Sequence, residues 1–242
     1  MESPRTMQRE YHKWNAPDLD RQMELLVFGH AGLPVLVFPT SNGRFYEFED
    51  AGMVAALSNR IDRGDLQLFC IDSFDPFSWY NTAIAPRLRI LQHTRFERYI
   101  LRDVLPFIRS SNSHPHLLAL GCSFGGYHAA NIAFRHPHLF TDMLSLSGAF
   151  DLTEFLSGYT DQSCYENLPM QYLPHVTDPA RLDLYRHNRY TLATGWDDQC
   201  LPHNQALHHI LDQQQIPHQF CVWDSHNSHD WPTWKQMVQL YL

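Results

Sequence analysis

Residues Leu118–Ala130, LALGCSFGGYHAA, run from an apolar segment, through three glycines around one serine, into an alanine-rich segment. The apolar run reads as a buried strand and the alanine-rich continuation as a helix. Between them Gly121, Gly125 and Gly126 surround Ser123. A sharp strand-to-helix turn holds its apex residue in a strained backbone conformation, and side chains two positions either side would strike neighbouring backbone. Gly-x-Ser-x-Gly meets both demands. The turn lifts the Ser123 hydroxyl above the sheet edge, at the positive end of the following helix. The same glycines would also suit a tight turn around an idle serine, so the remaining chain has to supply partners for the hydroxyl.

Outward from this stretch, apolar runs alternate with helical patterns. LQLFCI (66–71), HLLAL (116–120), DMLSLSG (142–148), RYTLATG (189–195) and HQFCVW (218–223) read as strands. Helical spacing is expected over 48–61, 85–108, 124–135, 203–214 and 232–241. MELLVF (23–28) and PVLVF (34–38), separated by GHAGL, predict a hairpin. Residues 1–20 read as an irregular arm with Trp14 as an anchor. The stretch 149–188, rich in tyrosine and proline, breaks the rhythm and is expected to form a cap or pocket wall. The fold class is therefore α/β, one domain over 1–242, with a mostly parallel central sheet and helices on both faces.

Active groups of such sheets lie beyond the C-terminal ends of the strands. A serine hydroxyl needs a base to act as a nucleophile near neutral pH, and in this architecture acid and base follow the serine in that order. The loop after RYTLATG offers Asp197 and Asp198. Asp198 lies deeper in that loop and is preferred as the acid. The loop after HQFCVW offers His226 and His229. His229 directly precedes the last helix, where HDWPTW supplies bulky anchors, and is the preferred base. An oxyanion hole takes one backbone N–H from the residue after the nucleophile, Phe124, and one from the loop after PVLVF, at Thr40 or Ser41. Trp79, Tyr80, Phe45 and Tyr46 are candidates for the walls of a substrate pocket or for local packing. The acidic run YEFED (46–50) reads as a helix N-terminal carboxylate cluster. Cys122, beside the serine, is expected to point into the sheet.

Composition narrows the partners. A net charge of −8 over 242 residues disfavours nucleic acid and anionic membranes, and no run approaches the ~18 apolar residues of a membrane span. Five scattered cysteines without a Cys-x-x-Cys pair, and a polar start without an apolar core, predict a reducing, cytoplasmic setting. The sixteen histidines, including His203, His208 and His209 on one helix, carry no block with structural zinc spacing. They read as solvated, with no metal and no cofactor. A small-molecule partner and a homo-oligomer are compatible with the sequence.

The segments FPTSNGRFYEFED (38–50), SWYN (78–81), GCSFGGYHAANIAFRHP (121–137) and HDWPTW (229–234) resemble the esterase D group of α/β-hydrolases, which includes S-formylglutathione hydrolases, enterochelin esterases, feruloyl esterases and mycolyltransferases. The resemblance covers about residues 10–242 and is strongest to compact bacterial esterases. It implies an α/β-hydrolase fold, no cofactor, and hydrolysis of short-chain carboxylic esters through Ser123, Asp198 and His229 by way of an acyl-enzyme. Phe124 stands where relatives often carry methionine; only its backbone is required. A thioesterase or acyltransferase would use the same triad, and a non-catalytic member would use the fold for binding.

Overall fold

The computed structural model describes residues 7–224 and 229–242. Eight strands form one sheet in the order β1-β2-β4-β3-β5-β6-β7-β8. They are β1 (Arg9–Ala16), β2 (Arg21–Phe28), β3 (Leu33–Phe38), β4 (Leu66–Ile71), β5 (Leu118–Cys122), β6 (Asp142–Leu146), β7 (Arg189–Gly195) and β8 (Gln219–Trp223). From β4 across to β8 every pairing is parallel, while β1–β2 and β2–β4 are antiparallel. The parallel strands β4, β5 and β6 are buried along their whole length, because helices cover both faces. Two apolar clusters, one on each side of the sheet, make up the core.

The N-terminal region departs from the sequence expectation. Arg9–Ala16 is a strand, not an irregular arm, and it is β1, not β3, that forms the hairpin with β2. β3 crosses to the middle of the sheet, between β4 and β5. β1 is an edge strand, largely exposed and polar, so it carries no apolar alternation to announce it. Trp14 does anchor it, packing on Tyr99 and Phe107 at centroid distances of 6.3 and 5.5 Å.

Two helical expectations also change. The stretch 48–61 is three short helical segments, interrupted where Gly52 takes φ +78°. The stretch 85–108 is a helix Pro86–Tyr99, a π-turn Ile100–Val104 and a helix Leu105–Ser111. Pro106 lacks the N–H that would reach the Arg102 carbonyl, and the widened turn precedes it. Leu88 and Leu91 face outward on this helix. Its inward face carries Arg89, His93 and Glu97 instead. Glu97 is ion-paired with Arg135 and His136, both at 2.8 Å. Burial would raise its carboxyl, but these partners outweigh burial and hold it down at about 2.

The stretch 149–188 folds as short helical segments, the longest being Pro179–His187. Its first part, through Phe155, reaches the aromatic side chains beside Ser123. Among the described residues no helix is long and apolar enough to cross a membrane.

Candidate active site

Ser123 sits between β5 and the helix Phe124–Arg135, at φ 55° and ψ −120°. A serine adopts this region only when its surroundings over-determine it. They do so here: its N–H donates to the Leu146 carbonyl at 2.8 Å, and its carbonyl accepts from Gly126 N–H at 2.9 Å and Ala149 N–H at 3.1 Å. The glycines leave the required room. A Cβ on Gly121 would stand 2.0 Å from the Gly125 carbonyl oxygen, and one on Gly125 would stand 2.5 Å from the Pro39 carbonyl oxygen. The helix Phe124–Arg135 is therefore in direct backbone contact with the end of β3.

A continuous hydrogen-bonded chain leads away from the hydroxyl. His229 Nε2 lies 2.9 Å from Ser123 Oγ, and His229 Nδ1 lies 2.9 Å from Asp198 Oδ1. The carboxylate can only accept, so Nδ1 carries the proton and Nε2 presents its lone pair to the serine. Asp198 is buried, whereas the neighbouring Asp197 is exposed. Burial by itself would raise the Asp198 carboxyl. Hydrogen bonding from His229, the Ser147 hydroxyl and the Cys200 N–H outweighs burial and keeps it below the ordinary range. The Cys200 N–H contact is 2.7 Å. The HDWPTW block fixes the histidine. Asp230 caps the last helix, Trp231–Tyr241, by accepting from Thr233 N–H. Trp234 packs edge-on against the His229 ring at 5.0 Å and donates its indole N–H to Ser147 Oγ at 2.9 Å. His226, the alternative base, lies outside the described residues.

The loop after β3 is held more tightly than its sequence suggests. Thr40 N–H and Thr40 Oγ1 both donate to the Glu47 carboxylate, at 2.8 and 2.6 Å. The Thr40 N–H is thus taken, which removes it as an oxyanion donor. Among the described residues the Ser41 and Phe124 N–H groups have no intramolecular acceptor. For Phe124 this follows from its place in the first turn of a helix. Glu47 begins a helix, as the acidic-cluster expectation had it, but its carboxylate faces the loop. Gly43 makes this possible, since a Cβ there would stand 2.5 Å from Glu47 Oε2.

Two further anchors escape sequence reasoning. Tyr80 donates its hydroxyl to Ser41 Oγ at 2.6 Å. Asp75, fully buried, accepts from Asn42 N–H at 3.3 Å and from His128 Nε2 at 2.8 Å. His128 lies on the helix Phe124–Arg135, so this buried pair ties that helix to the loop after β3. Nothing in the local sequence around Asp75 marks it, because its partners lie 33 and 53 residues away. Replacing Glu47 by alanine is expected to lower kcat by up to about 100-fold with little change in KM, since a displaced donor acts mainly in the transition state. Steady-state kinetics on a short aryl ester check this, and an unchanged kcat would separate the loop from catalysis.

The proposed pocket residues divide. Trp79 is fully buried among His93, Tyr127 and Phe155 and lines no substrate site. Tyr80 packs on Phe124 at 5.1 Å and on Phe155 at 4.9 Å, beside the elbow. Phe45 is partly buried against Tyr11 and Tyr46. Tyr46 is exposed and, with Asn42, Arg44, Glu47 and Trp231, lines a cavity of about 440 Å³ between the loop and the last helix. A cavity of about 500 Å³ between Arg135, Tyr172 and Arg181 lies at the far end of the helix Phe124–Arg135 and does not touch Ser123. Cys122 is buried in the core on the other face, and burial pushes its thiol well above the ordinary value, so it is no rival nucleophile.

The family described as "Putative esterase" matches residues 79–240. No curated protein sequence matches the chain. Among solved structures, a ferulic acid esterase superposes with a TM-score of 0.76 at 16% identity, covering 98% of this chain and 97% of the other. An S-formylglutathione hydrolase of Agrobacterium tumefaciens gives 0.74 at 12% identity, with 97% and 93% covered. One from Staphylococcus aureus gives 0.68 at 15%, with 98% and 96% covered. At these identities the likeness concerns the fold.

Proposed function

Because the chain belongs to the esterase family and has the α/β-hydrolase fold, we propose that this serine hydrolase cleaves short-chain carboxylic esters through a Ser123–His229–Asp198 triad. The observation that carries this reading is the hydrogen-bonded chain from Ser123 Oγ through both ring nitrogens of His229 to the buried Asp198.

His229 Nε2 accepts the Ser123 proton as Oγ attacks the ester carbonyl. Asp198 holds the imidazole in the required tautomer and stabilises its charged form. The negative charge that develops on the carbonyl oxygen is met by the Phe124 and Ser41 N–H groups and by the N-terminal end of the nucleophile helix. His229 then returns the proton to the departing alcohol, leaving an acyl-Ser123 ester. Water, deprotonated by the same histidine, attacks that ester and releases the acid.

The short-chain reading is supported by the rings beside the elbow. Phe124, Tyr80 and Phe155 pack against one another with centroids 4.9 to 5.6 Å apart. We read this packed cluster as favouring a short acyl chain. Turnover of p-nitrophenyl acetate and butyrate is expected to exceed that of the dodecanoate and longer esters. Equal or faster turnover of the long esters would overturn the short-chain assignment.

A further inference from the structure

At the opposite end of the sheet from Ser123 lies a second cluster of titratable side chains. His208 and Asp212 are one turn apart on the helix Leu201–Gln213, and His218 immediately precedes the edge strand β8. One ligand atom from each lies within 4.8 Å of the other two. His208 Nδ1 is 2.7 Å from His218 Nε2. Asp212 brings one carboxylate oxygen to 3.4 Å from His208 Nε2 and the other to 3.9 Å from His218 Nε2.

The orientation of His218 gives the cluster its chemistry. Its side chain is only 4% exposed, and its Nδ1 lies 2.8 Å from the Ile216 carbonyl oxygen. A carbonyl only accepts, so Nδ1 carries the proton and Nε2 faces His208 with a lone pair. Fixing one ring nitrogen on a backbone carbonyl is how metal-binding histidines are commonly aimed. The His208 ring is itself stacked on Phe220 at 4.6 Å. Two imidazoles, one of them fixed on a backbone carbonyl, and one carboxylate suit a borderline-soft transition metal better than magnesium or calcium.

We propose that His208, Asp212 and His218 bind a divalent transition metal of the Zn²⁺ class, with water in the remaining positions. His208 Nδ1 and His218 Nε2 supply the nitrogens, and Asp212 supplies an oxygen. Metal–nitrogen bonds of about 2.0–2.1 Å in a tetrahedral site place the nitrogens roughly 3.3 Å apart, so the rings part slightly from their 2.7 Å contact. His208 and the exposed Asp212 can make that movement. The proton that His208 Nδ1 donates to His218 transfers to His208 Nε2, where the Asp212 carboxylate lies close, and no net proton is lost. The ion would pin the C-terminal part of the helix to the start of β8, whose other end leads toward His229. The sequence pattern conceals the site because two ligands share a helix while the third follows a turn.

Asp198, Cys200 and His229 also bring ligand atoms together, so the test separates the two places. Zn²⁺ is titrated into the metal-free full chain by calorimetry, and Co²⁺ by visible absorption, with wild type, His208→Ala and Asp212→Asn compared. The proposal expects one ion per wild-type chain and a raised thermal midpoint. It expects affinity at least about tenfold weaker in His208→Ala and a smaller loss in Asp212→Asn, which leaves both rings in place. Ester turnover of both metal-free variants should equal that of wild type. Absence of binding to wild type overturns the proposal. So does undiminished binding to His208→Ala with turnover falling in step with occupancy, which would put the ion on Asp198, Cys200 and His229.

Discussion

Ser123→Ala is expected to lower kcat on p-nitrophenyl butyrate by at least about 10⁴-fold while leaving KM within a few-fold of wild type. In the proposed mechanism Oγ is the atom that forms the acyl-enzyme, whereas the proposed oxyanion donors and the binding surface remain in this variant. The fold should survive, because the strained φ of 55° is imposed by backbone hydrogen bonds to Leu146, Gly126 and Ala149 and not by the hydroxyl. A thermal melt alongside the kinetics checks that point. A variant as active as wild type would remove Ser123 from the mechanism.

The second large effect is expected from Asp198→Asn, a fall in kcat of about 10⁴-fold. The amide keeps the volume but can present its NH₂ to His229 Nδ1, which favours the tautomer with its proton on Nε2 and no lone pair for Ser123. The substitution also has a stability signature with a definite sign. The folded Asp198 carboxyl titrates below the ordinary value of 3.8. Its ionised form therefore contributes stability that is complete above the unfolded pKa and is lost as pH falls through the folded one. The stability difference between wild type and Asp198→Asn should change across that acid window and be flat above it. Denaturant melts at a series of pH values measure this, and a difference that does not vary with pH in acid would contradict the stated pairing. A kcat within tenfold of wild type would contradict the catalytic role.

How much of this was legible in the chain depends on where each partner lies. The elbow was readable because its constraints are local. Gly121 and Gly125 are demanded by backbone within a few residues or at the adjoining strand end, and the pattern LALGCSFGG states them directly. β4 and β7 coincide with the predicted 66–71 and 189–195, since the inner strands of a covered parallel sheet carry mostly apolar runs bounded by turn residues. Asp198 and His229 were nominated by chain order and strand-end position, and the fold brings both within hydrogen-bonding distance of one another.

What escaped reading depends on distant partners. β1 is polar because it is an edge, and the order of β2, β3 and β4 is a matter of crossover that spacing does not encode. Thr40 differs from Ser41 through Glu47, whose carboxylate reaches back to take the Thr40 N–H. Asp75 and Tyr80, from one segment after β4, hold the loop after β3, and His128 braces Asp75 from the helix Phe124–Arg135. Arg89, His93 and Glu97 broke the apolar face expected of their helix, because residues such as Arg135 and Asn131 meet them across the core. The contacts of Asp75, Tyr80, His93, Glu97 and His128 are polar contacts satisfied more than 30 residues away, which sequence periodicity does not register.

The most direct test of the central claim is covalent. Wild type, Ser123→Ala and Asp198→Asn are each exposed to a fluorophosphonate and followed by intact mass and peptide mapping. The account predicts one adduct per wild-type chain, located on Ser123, absent from Ser123→Ala and formed much more slowly in Asp198→Asn. An adduct on another residue, equal labelling of Ser123→Ala, or a wild-type enzyme that turns over esters yet resists the reagent would contradict it.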